Sequence, residues 1–181
     1  MPEKIVRPKL ALFALVAALT QTSAADVPAE EYRVKGAFLL NFAKFVEWPA
    51  QAFKGPGDSI TICVLGTSPF TPALDQAARQ VVVENRTVTV RQIPDAQQAA
   101  QCQIVFVSTP ERRRIHALLE AVQGGSVLTV GESNGFIASG GVIEFRVEDS
   151  RVRMEISAAA AKRAGLHISA KLLSLAESGK K

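Results

Sequence analysis

The pentapeptide Gly131-Glu132-Ser133-Asn134-Gly135 has the G-x-S-x-G spacing of a nucleophile elbow, and Asp149 and His167 follow in the order a hydrolase triad would use. Such a site needs its serine on a sharp strand-to-helix turn, with a base within hydrogen-bond reach of the hydroxyl. The following residues, Phe136-Ile137-Ala138-Ser139-Gly140-Gly141, read instead as a short extended piece and a glycine turn. Too little chain remains for the rest of a hydrolase sheet, so no catalytic residue is assigned. Gly131 then belongs to a loop at the carboxyl end of a strand. That loop is either a plain connection or a ligand loop of the kind open α/β sheets place there.

The remaining chemical signals are weaker. His116 falls on a polar side of its helix and His167 in a connector, and neither has a second ligand at metal spacing. There is no P-loop and no G-x-G-x-x-G fingerprint, so no cofactor is implied. The run Arg112-Arg113-Arg114 lies in the first turn of a helix, where the macrodipole disfavours cations, and reads as a solvated cluster.

The first of the positioning elements is the stretch Lys35 to Pro49, which carries the only tryptophan. Phe38, Phe42 and Phe45 recur on one helical face with Val34 a turn earlier, while Lys35, Lys44 and Glu47 fall on other faces. Pro49 biases Trp48 away from helical geometry, so Trp48 should leave the helix extended. The stripe either packs into the core or presents Phe42, Phe45 and Trp48 to a protein partner.

Alternating elements follow. Ser59 to Leu65 is a continuous apolar strand, and Thr71-Pro72 opens a short helix with Thr71 as its cap. Thr87 to Ile93 alternates as a half-exposed strand, whereas Ile104 to Val107 reads as buried on both faces. Ser108-Thr109-Pro110-Glu111 has capping-box spacing before a helix carrying Ile115, Leu118, Leu119 and Val122. Ser126 to Val130 is the next strand. The recurrence of strand, helix, strand predicts an α/β single domain with a largely parallel or mixed sheet covered by helices.

The last third predicts an antiparallel hairpin turning at Asp149-Ser150, with Glu148 opposite Arg151, Arg146 opposite Arg153, Glu144 opposite Glu155 and Ile143 opposite Ile156. One face is apolar; the other sets like charges against each other twice, which is unfavourable. That polar face is either a solvated edge or a site where Glu144 and Glu155, with Arg146 and Arg153, meet a ligand or a partner. Ser157 caps the next helix, Gly165 closes it, and Ser169 precedes a last amphipathic helix.

Ahead of all this, Lys4, Arg7 and Lys9 precede the apolar run Leu10 to Leu19 and the small residues up to Ala25, the three regions of a secretory signal peptide. Residues 1–25 are expected to be cleaved, leaving 26–181 as one exported domain without a lipid anchor, since no cysteine lies near the cleavage site. The net charge of +4 falls to about +2 when Glu3, Lys4, Arg7 and Lys9 leave, which gives no reason to expect nucleic acid. Cys63 and Cys102 lie in or beside two apolar strands, and in an oxidising compartment such a pair is either a disulfide or two buried thiols.

Taken in order, Phe45-Val46-Glu47-Trp48-Pro49, Ile62-Cys63-Val64-Leu65-Gly66 with Pro69-Phe70, Val127 to Gly131, Gly140 to Phe145 and Arg163-Ala164-Gly165-Leu166 with Lys171-Leu172-Leu173 resemble the YfiR family of periplasmic regulators. The resemblance implies an α/β protein that acts without chemistry. It also implies repression of an inner-membrane diguanylate cyclase through that enzyme's periplasmic domain, control of cyclic di-GMP and biofilm formation, and relief by an OmpA-like outer-membrane lipoprotein. It places a disulfide on Cys63 and Cys102 and leaves a homodimer and a small-molecule effector open. Ser157 and Glu84-Asn85-Arg86 depart from the family pattern, and a second cysteine pair found in some members is absent. A different class, a small-ligand-binding protein of an uptake or sensor system, would use Gly131, Glu144, Glu155, Arg163 and Ser169.

Overall fold

The structure is a computed structural model that describes residues 26–68 and 70–177. The signal peptide expected over 1–25, Pro69 and the tail 178–181 lie outside the described residues.

Helix α1 (Asp26–Phe45) opens the described chain and passes directly into a two-residue strand, β1 (Val46–Glu47). It therefore ends three residues before Trp48 rather than at it. The chain continues through β2 (Ile60–Leu65), α2 (Thr71–Ala78), β3 (Val82–Val83), β4 (Arg86–Ile93) and β5 (Ile104–Val107). A 3-10 turn, Thr109–Arg114, leads into α3 (Ile115–Ala121), followed by β6 (Leu128–Gly131), β7 (Ile143–Glu148) and β8 (Arg151–Ile156). Helix α4 (Ala158–Arg163), β9 (His167–Ile168) and α5 (Ala170–Glu177) complete it.

Seven strands form one sheet in the order β3-β4-β2-β5-β6-β7-β8, parallel from β4 to β7 and antiparallel at both ends. Strands β1 and β9 form a separate antiparallel pair, with Val46 opposite Ile168. The α/β expectation holds, and so does the hairpin in full: all six pairs from Ile143 with Ile156 to Glu148 with Arg151 have the register that a two-residue loop requires. Asp149 and Ser150 both adopt positive φ, as do Glu84 and Asn85 between β3 and β4, so two tight hairpins are turned without glycine.

Both sheet faces are covered. On one, α1, α2, α4 and α5 pack on Ile62, Val64, Phe106, Val130 and Phe145. On the other, α3 and the loop residue Phe136 pack on Cys63, Leu65, Val105 and Val107. The Cys63–Cys102 disulfide sits in this second layer, bridging β2 to the residues that enter β5. Closing a loop of 39 residues stabilises the fold by roughly 4 kcal/mol on the chain-entropy account.

Three local expectations are corrected. Thr71 is the first helical residue, not the cap, and its hydroxyl is buried without a partner among the described residues. Ser108 makes no capping bond: Pro110 sits in the first turn, the turn is 3-10, and Glu111 pairs with Arg114 instead of reaching back. Residues after Ser133 form neither an extended piece nor a helix but a run of tight turns, closed by Gly141 N–H donating to the Phe136 carbonyl at 3.0 Å.

Candidate functional site

Helix α1 runs along the sheet from the carboxyl ends of the parallel strands to their amino ends, and a distinct cluster stands at each. Its buried face includes Lys35, Gly36, Leu39, Phe42 and Ala43, rotated from the phenylalanine stripe read in the sequence. Lys35, expected on another face, is therefore only 3 % exposed. Phe42 is wholly buried, its ring stacked against Phe38 and Phe145, while Phe38 and Phe45 are half-buried.

At the carboxyl end, Lys35 bonds the carboxylates of Glu31, one turn earlier, and Glu132, on the loop after β6. A charge at such depth is tolerable only when paired and hydrogen-bonded. The Glu132 carboxylate accepts two further bonds, from the Tyr32 hydroxyl at 3.0 Å and from the Thr109 N–H at 2.8 Å. One side chain of the pentapeptide thus ties α1 to the loops after β5 and β6. Burial, and then the negative charge of Glu132, push the Tyr32 phenol well above its ordinary pKa. Tyr32 also stacks on Phe70, with ring centroids 5.1 Å apart.

Neighbouring Ser133 is buried, and its hydroxyl has no hydrogen-bond partner among the described residues. His167 lies in β9 across from Glu47, rather than in a connector, and Asp149 at the hairpin tip. The three residues of the apparent triad stand in three parts of the molecule. Gly131 is explained by packing: a Cβ there would come within 2.5 Å of the Phe136 ring, and one on Gly141 within 2.1 Å. The two glycines bracket that ring, so the space at Gly131 is already filled by the protein's own side chain.

On the hairpin, Glu144 is 1 % exposed, so the polar face is not a solvated edge at this position. Its carboxylate accepts the Ile137 N–H at 3.1 Å and the Arg146 Nε–H at 3.0 Å. Arg146 also reaches Glu155 at 2.8 Å, so one guanidinium relieves the repulsion between the facing carboxylates and has its own pKa raised, chiefly by the bond to Glu144. Arg153, opposite Arg146, is left with a buried Nε that has no partner among the described residues. Arg163 is exposed at the end of α4.

At the amino end, Phe45, Trp48, Phe53 and Ser169 line a cleft of about 120 Å³ together with Arg86. This brings two of the partner candidates beside one ligand candidate, while Gly131, Glu144, Glu155 and Arg163 lie elsewhere. Trp48 is half-buried, and its indole N–H donates to the Gln103 carbonyl at 3.2 Å. Gln103 itself holds Thr61 N–H and the Ala52 carbonyl, each at 2.8 Å, so the tryptophan is anchored to a rigid strand end. The Arg86 guanidinium lies 3.8 Å over the Phe53 ring and donates to the Gly55 and Asp58 carbonyls. The sequence marks Arg86 only within the Glu84-Asn85-Arg86 departure from the family pattern and not as a cleft residue, because its partners are 28 and 31 residues away. Ser169 N–H donates to the Phe45 carbonyl at 3.0 Å, and its hydroxyl caps α5.

With this geometry in place, the comparison with known families is decisive: the YfiR/HmsC-like family matches residues 32–177, which run from α1 to the end of α5. The chain belongs to the YfiR/HmsC-like family. That is a family of periplasmic regulators, not one known for enzymes. No curated protein matches the sequence. Among solved structures, a conserved domain protein from Vibrio cholerae O1 biovar eltor is similar at 12 % identity and a TM-score of 0.50. The likeness covers 65 % of this chain and 53 % of that one, and at this identity it bears on the fold alone. Among the described residues, no helix is long and apolar enough to cross a membrane, and no cluster of three or more His, Cys, Asp or Glu could hold a metal.

Proposed function

We propose that this YfiR/HmsC-like chain is exported by its leader into the periplasm, where it binds the periplasmic domain of an inner-membrane diguanylate cyclase and represses it. Cyclic di-GMP and biofilm formation would fall as a result, and an OmpA-like outer-membrane lipoprotein would relieve the repression by sequestering the repressor. The observation that carries this reading is the family match over residues 32–177. The amino-end cleft supports it with a recognisable contact surface: Trp48 and Phe45 offer half-exposed aromatic area on an anchored backbone, and such groups dominate interface energetics. Ser169 in the same cleft is where a small-molecule effector would compete with the protein partner.

The test is a cellular one. Deleting the gene should raise cyclic di-GMP, and Trp48→Ala should raise it as well while the purified variant keeps its circular dichroism and thermal midpoint. Unchanged cyclic di-GMP in the deletion strain removes the repressor reading. Full repression by a folded Trp48→Ala protein takes Trp48 out of the interface.

A further inference from the structure

The β7–β8 hairpin outruns the rest of the sheet. Strand β7 pairs with β6 only at Ile143 and Glu144, opposite Val130 and Gly131, whereas its pairing with β8 continues to Glu148. From Phe145 onward, among the described residues, β7 has one partner strand and one open side. The orientation of its amides follows from the ladder. Val142 accepts the Ser157 N–H at 2.8 Å, and in an antiparallel pair the bonded and non-bonded positions alternate. Glu144, Arg146 and Glu148 therefore turn their main-chain groups toward β8, and Val147 turns its N–H and carbonyl toward the open side.

That side is a slot, not free surface. A pocket of about 410 Å³ lies along Phe145 to Glu148, walled opposite by Glu31, Tyr32 and Lys35 of α1 and by Thr109, Glu132 and Asn134 of the loops. Val147 is 50 % exposed beside it, among the few large apolar residues left in solvent. The charges in the slot are unevenly committed. Lys35 is held by Glu31 and Glu132, and Arg146 by Glu144 and Glu155. The Glu148 side chain is exposed and, beyond a long-range attraction to Arg146, is in no hydrogen bond or ion pair among the described residues, although it faces Arg151 across the hairpin.

We propose that this slot accepts an extended segment of a partner protein as an added strand along β7, and that the segment alternates basic with apolar residues. The unpaired amides of Val147 supply main-chain hydrogen bonds, the usual source of affinity in strand addition. An apolar side chain on the added strand covers Val147, and a basic one meets Glu148 across the non-covalent pair. This site is at the opposite end of α1 from Trp48, so it stands or falls independently of the interface proposed there.

The experiment uses the purified chain and two short blocked peptides, one alternating lysine with valine and one alternating glutamate with valine, followed by fluorescence anisotropy. The lysine peptide should bind at least about tenfold tighter than the glutamate peptide, a difference of roughly 1.4 kcal/mol. Val147→Pro removes the N–H that faces the slot but no bond of the β7–β8 ladder, so the fold should survive, as proline is tolerated on the open side of an edge strand. That variant should lose binding by about tenfold or more with unchanged circular dichroism, and Glu148→Lys should invert the charge preference. The proposal is overturned by absence of binding to the wild type at millimolar peptide, by full binding to Val147→Pro, or by equal affinity for the two peptides. A dimer that Val147→Pro dissolves would assign the slot to a second copy of this chain and overturn it likewise.

Discussion

Helix α1 meets two different environments at its two ends. At the carboxyl end of the sheet it contributes a charge, Lys35, that is almost wholly buried and bound by two carboxylates. At the amino end it contributes Phe45 and hands over to Trp48, apolar groups that stay half-exposed. Composition alone would assign these roles the other way round, with the lysine in water and the aromatics inside. The inversion separates structural polarity from available surface: the charged cluster is satisfied within the molecule, and the aromatic cleft is not fully covered by it.

The sharpest way to break this contrast is to remove one member of the buried pair. Lys35→Met leaves Glu132 charged and buried, and should cost about 3–5 kcal/mol in denaturant unfolding, with the double variant Lys35→Met, Glu132→Gln recovering a substantial part. A cost near that of an exposed ion pair would mean that the cluster is solvated. Cys63→Ser calibrates the scale away from both ends. Losing the disulfide should cost about 2–4 kcal/mol under non-reducing conditions, and mass mapping of the exported wild type should find no free thiol.

Tyr32 gives the carboxyl end a spectroscopic readout, because it is the only tyrosine. Its folded pKa lies above the unfolded value of 10.0. The stability that this shift contributes is complete below about pH 10 and is lost as pH rises toward the folded pKa. Tyrosinate absorbance should therefore stay silent until the protein unfolds in alkali, and a reversible titration near pH 10 in folded protein would place the ring in water. At the amino end, Trp48→Phe keeps the apolar bulk but loses the bond to Gln103, and should cost only about 1 kcal/mol. The smallest effect is expected from Ser133→Ala. Its hydroxyl is buried and unpartnered, so the change should stay within about 1 kcal/mol, in the stabilising direction, and leave function intact.

The pattern of what the sequence made legible follows from range. The hairpin register was readable because strict alternation around Asp149-Ser150 permits only one pairing with a two-residue loop. The parallel character of the central sheet was readable from the strand-helix-strand recurrence, but the order of its strands was not. The burial of Lys35 was not, because the partner that rewards it, Glu132, is 97 residues away and looks from sequence like part of a serine motif. The aromatic cleft was half-readable: Trp48 and Pro49 marked it, but nothing local ties Phe53 or Arg86 to it. The short strands β1, β3 and β9 were missed because two residues cannot show a period.

The pairing of β1 with β9 has a consequence for the order of assembly. Val46 lies opposite Ile168, so an element near the start of the domain is completed only by one near its end. A polypeptide emerging amino terminus first from a ribosome or a membrane channel would present α1 long before its closing strand and α5 were available. Phe45, over which Lys171 of α5 lies, would stay open until then, since contacts of such separation form slowly. The β1–β9 pair can therefore close only once nearly all of the chain has been delivered.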